Sequence, residues 1–357
     1  MKKNHRRLLG WGVGAIIIVL VLFHLGHSPQ WRNFQWSRLG YLLVHIKLEF
    51  LILAILASYS SFFLRALRWR FFVDSIKRCS LWILFAGQIF GFSSIYLIGR
   101  AGEVVRPAYI AKAEHLTFSS QLAVWLIERV YDSIALIILF ALGLYFEPIQ
   151  PLTARHAGVL HGIREGAIVV LILSLVGIAL LVVYKHYSES FLKWLSQWES
   201  TVVMKARSRI VTFLRSFATG LEVIKNPSDF IASLACTVAL WIVNVTAIWL
   251  DFRSLGGSLQ HLSWWVAALT LVFAALGLAV QLPGVGGGYQ VVTLLALRDF
   301  FHVSPEGAAS AAILTWLTVM VPCIILGLIL LLHEGLSIRK LQVIAEEEER
   351  ESVTPSA

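Results

Sequence analysis

Charged residues are scarce in this sequence. Asp, Glu, Lys and Arg make up 14% of its 357 residues, where an ordinary soluble domain carries about 25%. A solvated surface around one compact core is therefore excluded. Cysteine is scarcer still: Cys79, Cys236 and Cys323 lie far apart, with no C-x-x-C and no histidine at ligand spacing. That pattern excludes a disulfide framework and a zinc site, and leaves small packing residues. The eleven histidines are scattered, mostly at segment ends, and form neither H-E-x-x-H nor H-x-H, so no metal or cofactor is expected. No G-K-[S/T] follows a glycine-rich stretch, which excludes a nucleotide-phosphate loop and ATP-driven work by this chain alone. No Ser/His/Asp arrangement can be defended from spacing, and no catalytic residue is expected.

What the chain has in abundance is hydrocarbon. Hydrophobic residues make up 58% of it and fall in runs over residues 8–26, 41–64, 81–98, 119–146, 164–184, 228–250, 264–282 and 308–332. About 20 residues cross about 30 Å of hydrocarbon at a rise of 1.5 Å each. The expected fold is an all-α polytopic membrane protein, with one transmembrane domain over residues 1–335. Lys2, Lys3, Arg6 and Arg7 precede the first run. That run is too long for a signal-peptide core and lacks a small-x-small cleavage site, so it reads as an uncleaved span with a cytoplasmic N-terminus. In the stretch 188–225, Phe191, Leu195, Trp198, Val202, Ala206 and Ile210 recur at steps of three or four, with basic residues on the other faces. This is an amphipathic cytoplasmic segment lying in the interface or under the bundle. Residues 336–357, with the run Glu346 to Glu349, read as a disordered acidic cytoplasmic tail.

The net charge of +9 is distributed in short segments between the apolar runs. It fits loops against anionic headgroups, and no nucleic-acid partner is expected. If all eight segments cross in turn, Lys and Arg divide almost evenly between the two sides. If 81–118 and 264–301 are hairpins that enter and leave on one face, most fall on one side, as the positive-inside rule requires. The expected layout is six full spans plus two re-entrant broken segments, with eight spans as the alternative. Entry from opposite faces makes an inverted repeat with a site near the midplane. The return arm 100–118 is too polar to face lipid and must be shielded by protein or water.

Three constellations carry the candidate chemistry. The first runs from Gly99 to Pro107. Gly99 and Gly102 interrupt the helix, and Arg100, Glu103 and Arg106 follow at three-residue steps. A glutamate between two arginines stays ionised and holds both, leaving guanidinium donors for a phosphate oxygen; the alternative is a loop with ordinary surface ion pairs. The second is Glu128, Arg129 and Asp132 inside the 119–146 run. Each charge near the bilayer centre costs about 2.5–3.5 kcal/mol, so three within five residues need partners or water. They form either a structural latch or one wall of a polar cavity shared with Arg100 and Arg106. The third is Pro283, Gly284, Gly286, Gly287, Gly288 and Gln290, a break between two apolar arms. It reads as a discontinuous helix whose freed amides suit an anion, or as a tight turn between spans.

The three motifs in this order resemble the lysylphosphatidylglycerol synthase transmembrane-region family of flippase-like proteins, over roughly residues 10–335. The resemblance rests on Gly102-Glu103-x-x-Arg106-Pro107, Glu128-Arg129-x-x-Asp132 and the glycine-rich turn after Pro283. It implies a multi-pass protein of the bacterial inner membrane, with both termini cytoplasmic, that moves an anionic phospholipid or lipid-linked molecule between leaflets. Arg100, Arg106 and Arg129 would receive the phosphate, with Glu103, Glu128 and Asp132 holding them. The family's best-known members fuse this module to a soluble aminoacyl-transferase domain. This chain ends soon after its last apolar run, so lysyl transfer is not implied. It also departs from the family at Gln290, which stands where a glutamate is expected; a proton- or cation-coupled role there is in doubt. The competing readings are a scaffold for a lipid-modifying enzyme, homo-oligomeric or not, and a membrane-embedded lipid-phosphate enzyme using Glu128 and Asp132.

Overall fold

The structure is a computed structural model, which describes residues 34–147 (75 apart), 227–278, 281–282 and 286–333, with scattered helical positions between 158 and 218. The first apolar run at 8–26, about a third of 164–184, most of 188–225, and the tail 336–357 lie outside the described residues, as do Pro283, Gly284 and the side chain of Arg100.

The second apolar run is not one helix ending near residue 64. Helix α1 (Trp36–Val44) stops at His45, and α2 (Leu48–Val73) continues well past the expected boundary. Ser58, Phe62, Ala66, Trp69 and Val73 recur at helical steps and are all buried. The packing stripe therefore persists through a stretch that also holds Arg65, Arg68 and Arg70. Two of the charges read as loop charges, Arg65 and Arg68, are helical and inside the protein.

Helix α3 (Leu81–Ile98) ends at Gly99, whose φ of +78° favours glycine. A 3-10 turn over Gly99–Val104 reverses the chain into α4 (Val105–Glu114). The arms lie against each other because α3 is flattened by glycine. A Cβ at Gly91 would stand 2.7 Å from that of Arg106, and one at Gly87 would stand 2.9 Å from Ile110. At Gly102 a Cβ would strike the backbone of Ser94 and Ile95. The open ends of the hairpin are tied together by Glu114, which accepts from Ser80 N at 2.7 Å and pairs with Lys77 Nζ at 3.3 Å. The segment therefore returns to the level at which it starts, the hairpin expected over 81–118.

Helix α5 (Phe118–Phe146) begins at Thr117, which caps it, and matches the fourth apolar run. Helix α6 (Pro227–Leu255) runs slightly beyond the expected 228–250. Helix α7 (Trp264–Gly277), capped by Ser263, stops short of residue 282. Its 14 residues extend about 21 Å, less than the hydrocarbon thickness of about 30 Å. Two-residue strands β1 (Gln281–Leu282) and β2 (Gly286–Gly287) pair antiparallel, and α8 (Gly288–Phe301) leads back. The backbone of Gly288 sits where a side chain at Gly277 would go. This is the expected helix break, folded as a second hairpin. Helix α9 (Pro305–His333) closes the described fold.

By length and composition α2, α6 and α9 are able to cross a membrane, with α3 and α7 as shorter apolar helices. Each hairpin has its own hydrophobic core. The first contains Trp69, Phe72, Ile89, Phe90 and Ile110; the second contains Phe252, Leu269, Phe273, Leu297 and Phe300. β1, beside the break in the second, lies against the 3-10 turn of the first. The fold is an all-α membrane architecture in which the broken tips of two hairpins touch inside the protein.

Candidate functional site

A cavity of about 250 Å³ opens at that junction. Arg65 from α2, Tyr96 from α3, Glu103 from the turn and Arg106 from α4 line it, with Trp125, Arg129 and Asp132 from α5. Trp241 of α6 and Ala275 and Leu278 at the end of α7 complete the wall. Both hairpins therefore contribute, the first with charge and the second with apolar surface.

Beside the cavity lies an ion network organised by Glu128, whose side chain is fully buried. It accepts from Arg68 Nη2 at 2.7 Å, from Arg106 Nη2, and from Arg129 Nη2 at 3.3 Å, with Arg65 at 3.8 Å. Asp132, one turn on, accepts from Arg68 Nη1 at 2.8 Å and from Arg65 Nη1 at 3.4 Å, and pairs with Arg129 at 3.4 Å. Arg68 Nη1 also donates to Thr237 Oγ1 of α6 at 3.2 Å. Arg106 donates to Gln88 Oε1 at 2.6 Å and lies over the Trp69 ring at 4.5 Å, and that ring is fixed by its Nε1 donating to Gln121 Oε1 at 3.0 Å. Arg65 stands over Phe92, and Arg129 over Trp125. Carboxylates that accept two or three guanidinium bonds each, with aromatic rings behind the cations, make a charge cluster tolerable at membrane depth.

The four arginines are not equivalent. The Arg68 side chain is wholly buried and that of Arg106 is 5% exposed, whereas Arg65 is 11% and Arg129 38% exposed. Arg68 and Arg106 are thus committed to the network, and Arg129 and Arg65 are its accessible edge. Among the described residues the buried Nε of Arg129 has no hydrogen-bond acceptor. Four arginines meet three carboxylates around this cavity among the described residues, leaving one positive charge without a counter-charge.

The structure thus brings together Glu103, Arg106, Glu128, Arg129 and Asp132, from two constellations read separately in the sequence. Among the described residues the third constellation sends no polar side chain to the cavity. Gly286, Gly287 and Gly288 build the reversal, and Gln290 sits half-buried in the first turn of α8. Arg65 and Arg68 were missed, although the signal was present: two arginines three residues apart within an unbroken stripe of Phe62, Ala66, Trp69 and Val73. Gln88 and Trp241 carried no signal that a single sequence could give. Asp251 of α6, a further buried carboxylate, accepts from Thr318 Oγ1 at 2.9 Å.

Residues 8–327 match the family described as the lysylphosphatidylglycerol synthase TM region. The chain belongs to this family. It is also 23% identical over 318 residues to the UPF0104 membrane protein PH1989 of Pyrococcus horikoshii, covering 84% of this chain and 88% of the relative. The match runs across both hairpins and every helix of the site, so the charged cavity lies within the shared membrane module. As a member of this family, the chain is a membrane protein with a place in lipid metabolism or translocation.

Proposed function

We propose that the protein translocates an anionic phospholipid between leaflets, taking its phosphate into the cavity at the hairpin tips. The observation that carries this reading is the unbalanced arginine. A fixed cation surplus inside a membrane protein is costly, and a lipid phosphate supplies the missing anion and is itself relieved of crossing hydrocarbon unpaired. Arg129 and Arg65 are the receiving groups, because they are the more accessible members of the network. Arg68, Arg106, Glu128 and Asp132 hold them in place. Glu128 and Asp132 each accept from several guanidinium groups, which supports a positioning role over acid–base chemistry. The reading needs no catalytic residue in this chain. It places the protein in the inner membrane with both termini cytoplasmic and the two hairpins entering from opposite faces.

The test is leaflet exchange of fluorescent phosphatidylglycerol and phosphatidylcholine in proteoliposomes. Wild-type protein is expected to accelerate exchange of the anionic lipid, and Arg129→Gln to reduce that rate at least tenfold while still folding. Equal exchange by the two proteins would refute the assignment.

A further inference from the structure

A second cavity lies on the other side of α5. It measures about 600 Å³, runs between α5 and α6, and is lined almost wholly by apolar side chains, among them Ile134, Ala135, Leu142, Leu234 and Val238. Along α5 it extends from Ile127 to Leu142, about 22 Å at the helical rise. That exceeds the roughly 15 Å of hydrocarbon in a single leaflet. At its far end stand Trp264 and Trp265, the latter stacked on Phe146 at 4.5 Å.

One residue belongs to both cavities. Trp241 lines the charged cavity and the apolar groove. It is 8% exposed, and among the described residues its buried Nε1 has no hydrogen-bond partner. A buried indole N–H usually finds an acceptor, and this tryptophan borders both cavities. Of the other tryptophan N–H groups nearby, that of Trp69 is used on Gln121 and that of Trp264 on Thr246 Oγ1 at 3.1 Å. A polar donor at the seam between a cation-rich pocket and a long greasy groove matches the order of groups in a phospholipid: phosphate, ester, hydrocarbon chain.

We propose that the α5–α6 groove is a binding site for one acyl chain of an anionic phospholipid, with Trp241 Nε1 donating to the ester carbonyl between chain and phosphate. This rests on the phosphate reading of the charged cavity and deepens it. A groove longer than one leaflet lets the chain accompany its headgroup without passing back into bulk lipid.

The test uses phosphatidylglycerol carrying a photoactivatable diazirine on one acyl chain, with the full-length protein in phosphatidylcholine nanodiscs and the labelled peptides mapped by mass spectrometry. Labelling of the α5 and α6 groove residues is expected to saturate with probe. It should fall at least tenfold in Ala135→Trp, and in Val238→Trp, whose position is 55% exposed and tolerates bulk. Trp241→Phe keeps the ring and removes the N–H, and should raise the half-saturating probe concentration about fivefold. Exposed Ile52 and Leu56 on α2 report ordinary annular lipid, where labelling should rise linearly and ignore all three substitutions. Groove labelling that behaves like that of Ile52 and Leu56 would overturn the proposal. Because the labelling needs no transport, the two readings fail separately. Exchange that is lost in Arg129→Gln beside a non-saturable groove would sink only the groove. Saturable groove labelling beside exchange indifferent to Arg129→Gln would sink only the translocation reading.

Discussion

Glu128→Gln is the sharpest perturbation of this protein, because it removes one charge and almost no volume. Glu128 is completely buried and is reached by Arg68, Arg106, Arg129 and Arg65. With glutamine in its place, four arginines face only Asp132 and Glu103, and an amide NH2 is turned toward groups that are all donors. Removing one partner from a buried ion pair costs about 3–5 kcal/mol, chiefly because the remaining charge stays buried and unpaired. The loss here belongs in that range, since Arg68 is itself wholly buried and keeps Asp132 as its remaining counter-charge. Unfolding in detergent can be followed by the fluorescence of the thirteen tryptophans. The decisive comparison is the double substitution Arg68→Met with Glu128→Gln, which restores the original charge difference. It should recover at least about 2 kcal/mol of the single-variant loss, as expected for coupled neighbours. A loss below about 1 kcal/mol for Glu128→Gln, or strict additivity in the cycle, would refute the view that Glu128 is the electrostatic centre of the fold.

Two further outcomes follow from the packing. Gly277→Ala places a methyl group on the Gly288 carbonyl and should destabilise the second hairpin by more than about 2 kcal/mol, whereas Gly40→Ala, which meets nothing within 4 Å, should be neutral or slightly stabilising; equal effects in thermal unfolding would contradict the close approach of α7 and α8. In the loop before α3, burial and then the neighbouring Glu114 carboxylate push the Cys79 thiol up to about 12. It therefore remains a thiol until pH approaches that value, and in a variant with Cys236 and Cys323 replaced it should react with maleimide at pH 8 at least a hundredfold more slowly in folded than in unfolded protein.

The class of the protein was legible because membrane helices are written in length and apolarity, which need no tertiary information. The hairpins were legible for a related reason. Gly99 and Gly102 ahead of Pro107, and the Gly286–Gly288 run after Pro283, disfavour a continued helix on local grounds, and the distribution of Lys and Arg favoured segments that turn back. The join between the hairpins was not legible, since contact between residues 99–104 and 281–282 is a tertiary fact. The site was half visible. Arg106, Glu128, Arg129 and Asp132 announced themselves as charges in apolar surroundings, but Arg65 and Arg68 lie beside Arg70, near Lys77 and Arg78, and blend into what reads as a basic loop. Only their position on the buried stripe of Trp69 and Val73 separates them from it. Which arginines hold and which receive is a matter of exposure, and exposure is set by neighbours such as Gln88 and Trp69 that carry no charge of their own.

The charge imbalance also makes a prediction in the opposite direction from loss of function. Glu103 lines the cavity but belongs to the turn, not to the doubly bonded pair on α5. Glu103→Gln therefore widens the surplus from one positive charge to two without dismantling the network around Glu128. For a phosphate roughly 6 Å away, one charge is worth about 3 kcal/mol at an effective dielectric of 20. Solvent entering a half-buried site reduces this to about 1.4 kcal/mol, or tenfold in affinity. Fluorescent phosphatidylglycerol should bind the detergent-solubilised variant about tenfold more tightly than wild type, and that gain should shrink as salt is raised. Phosphatidylcholine, whose ammonium opposes its phosphate, should gain much less. Tighter holding slows release into the opposite leaflet, so exchange should fall even as binding improves. Arg129→Gln loses binding and exchange together. Binding that is indifferent to both substitutions would mean that the cavity does not receive the anion, whatever the arginines on its wall are doing.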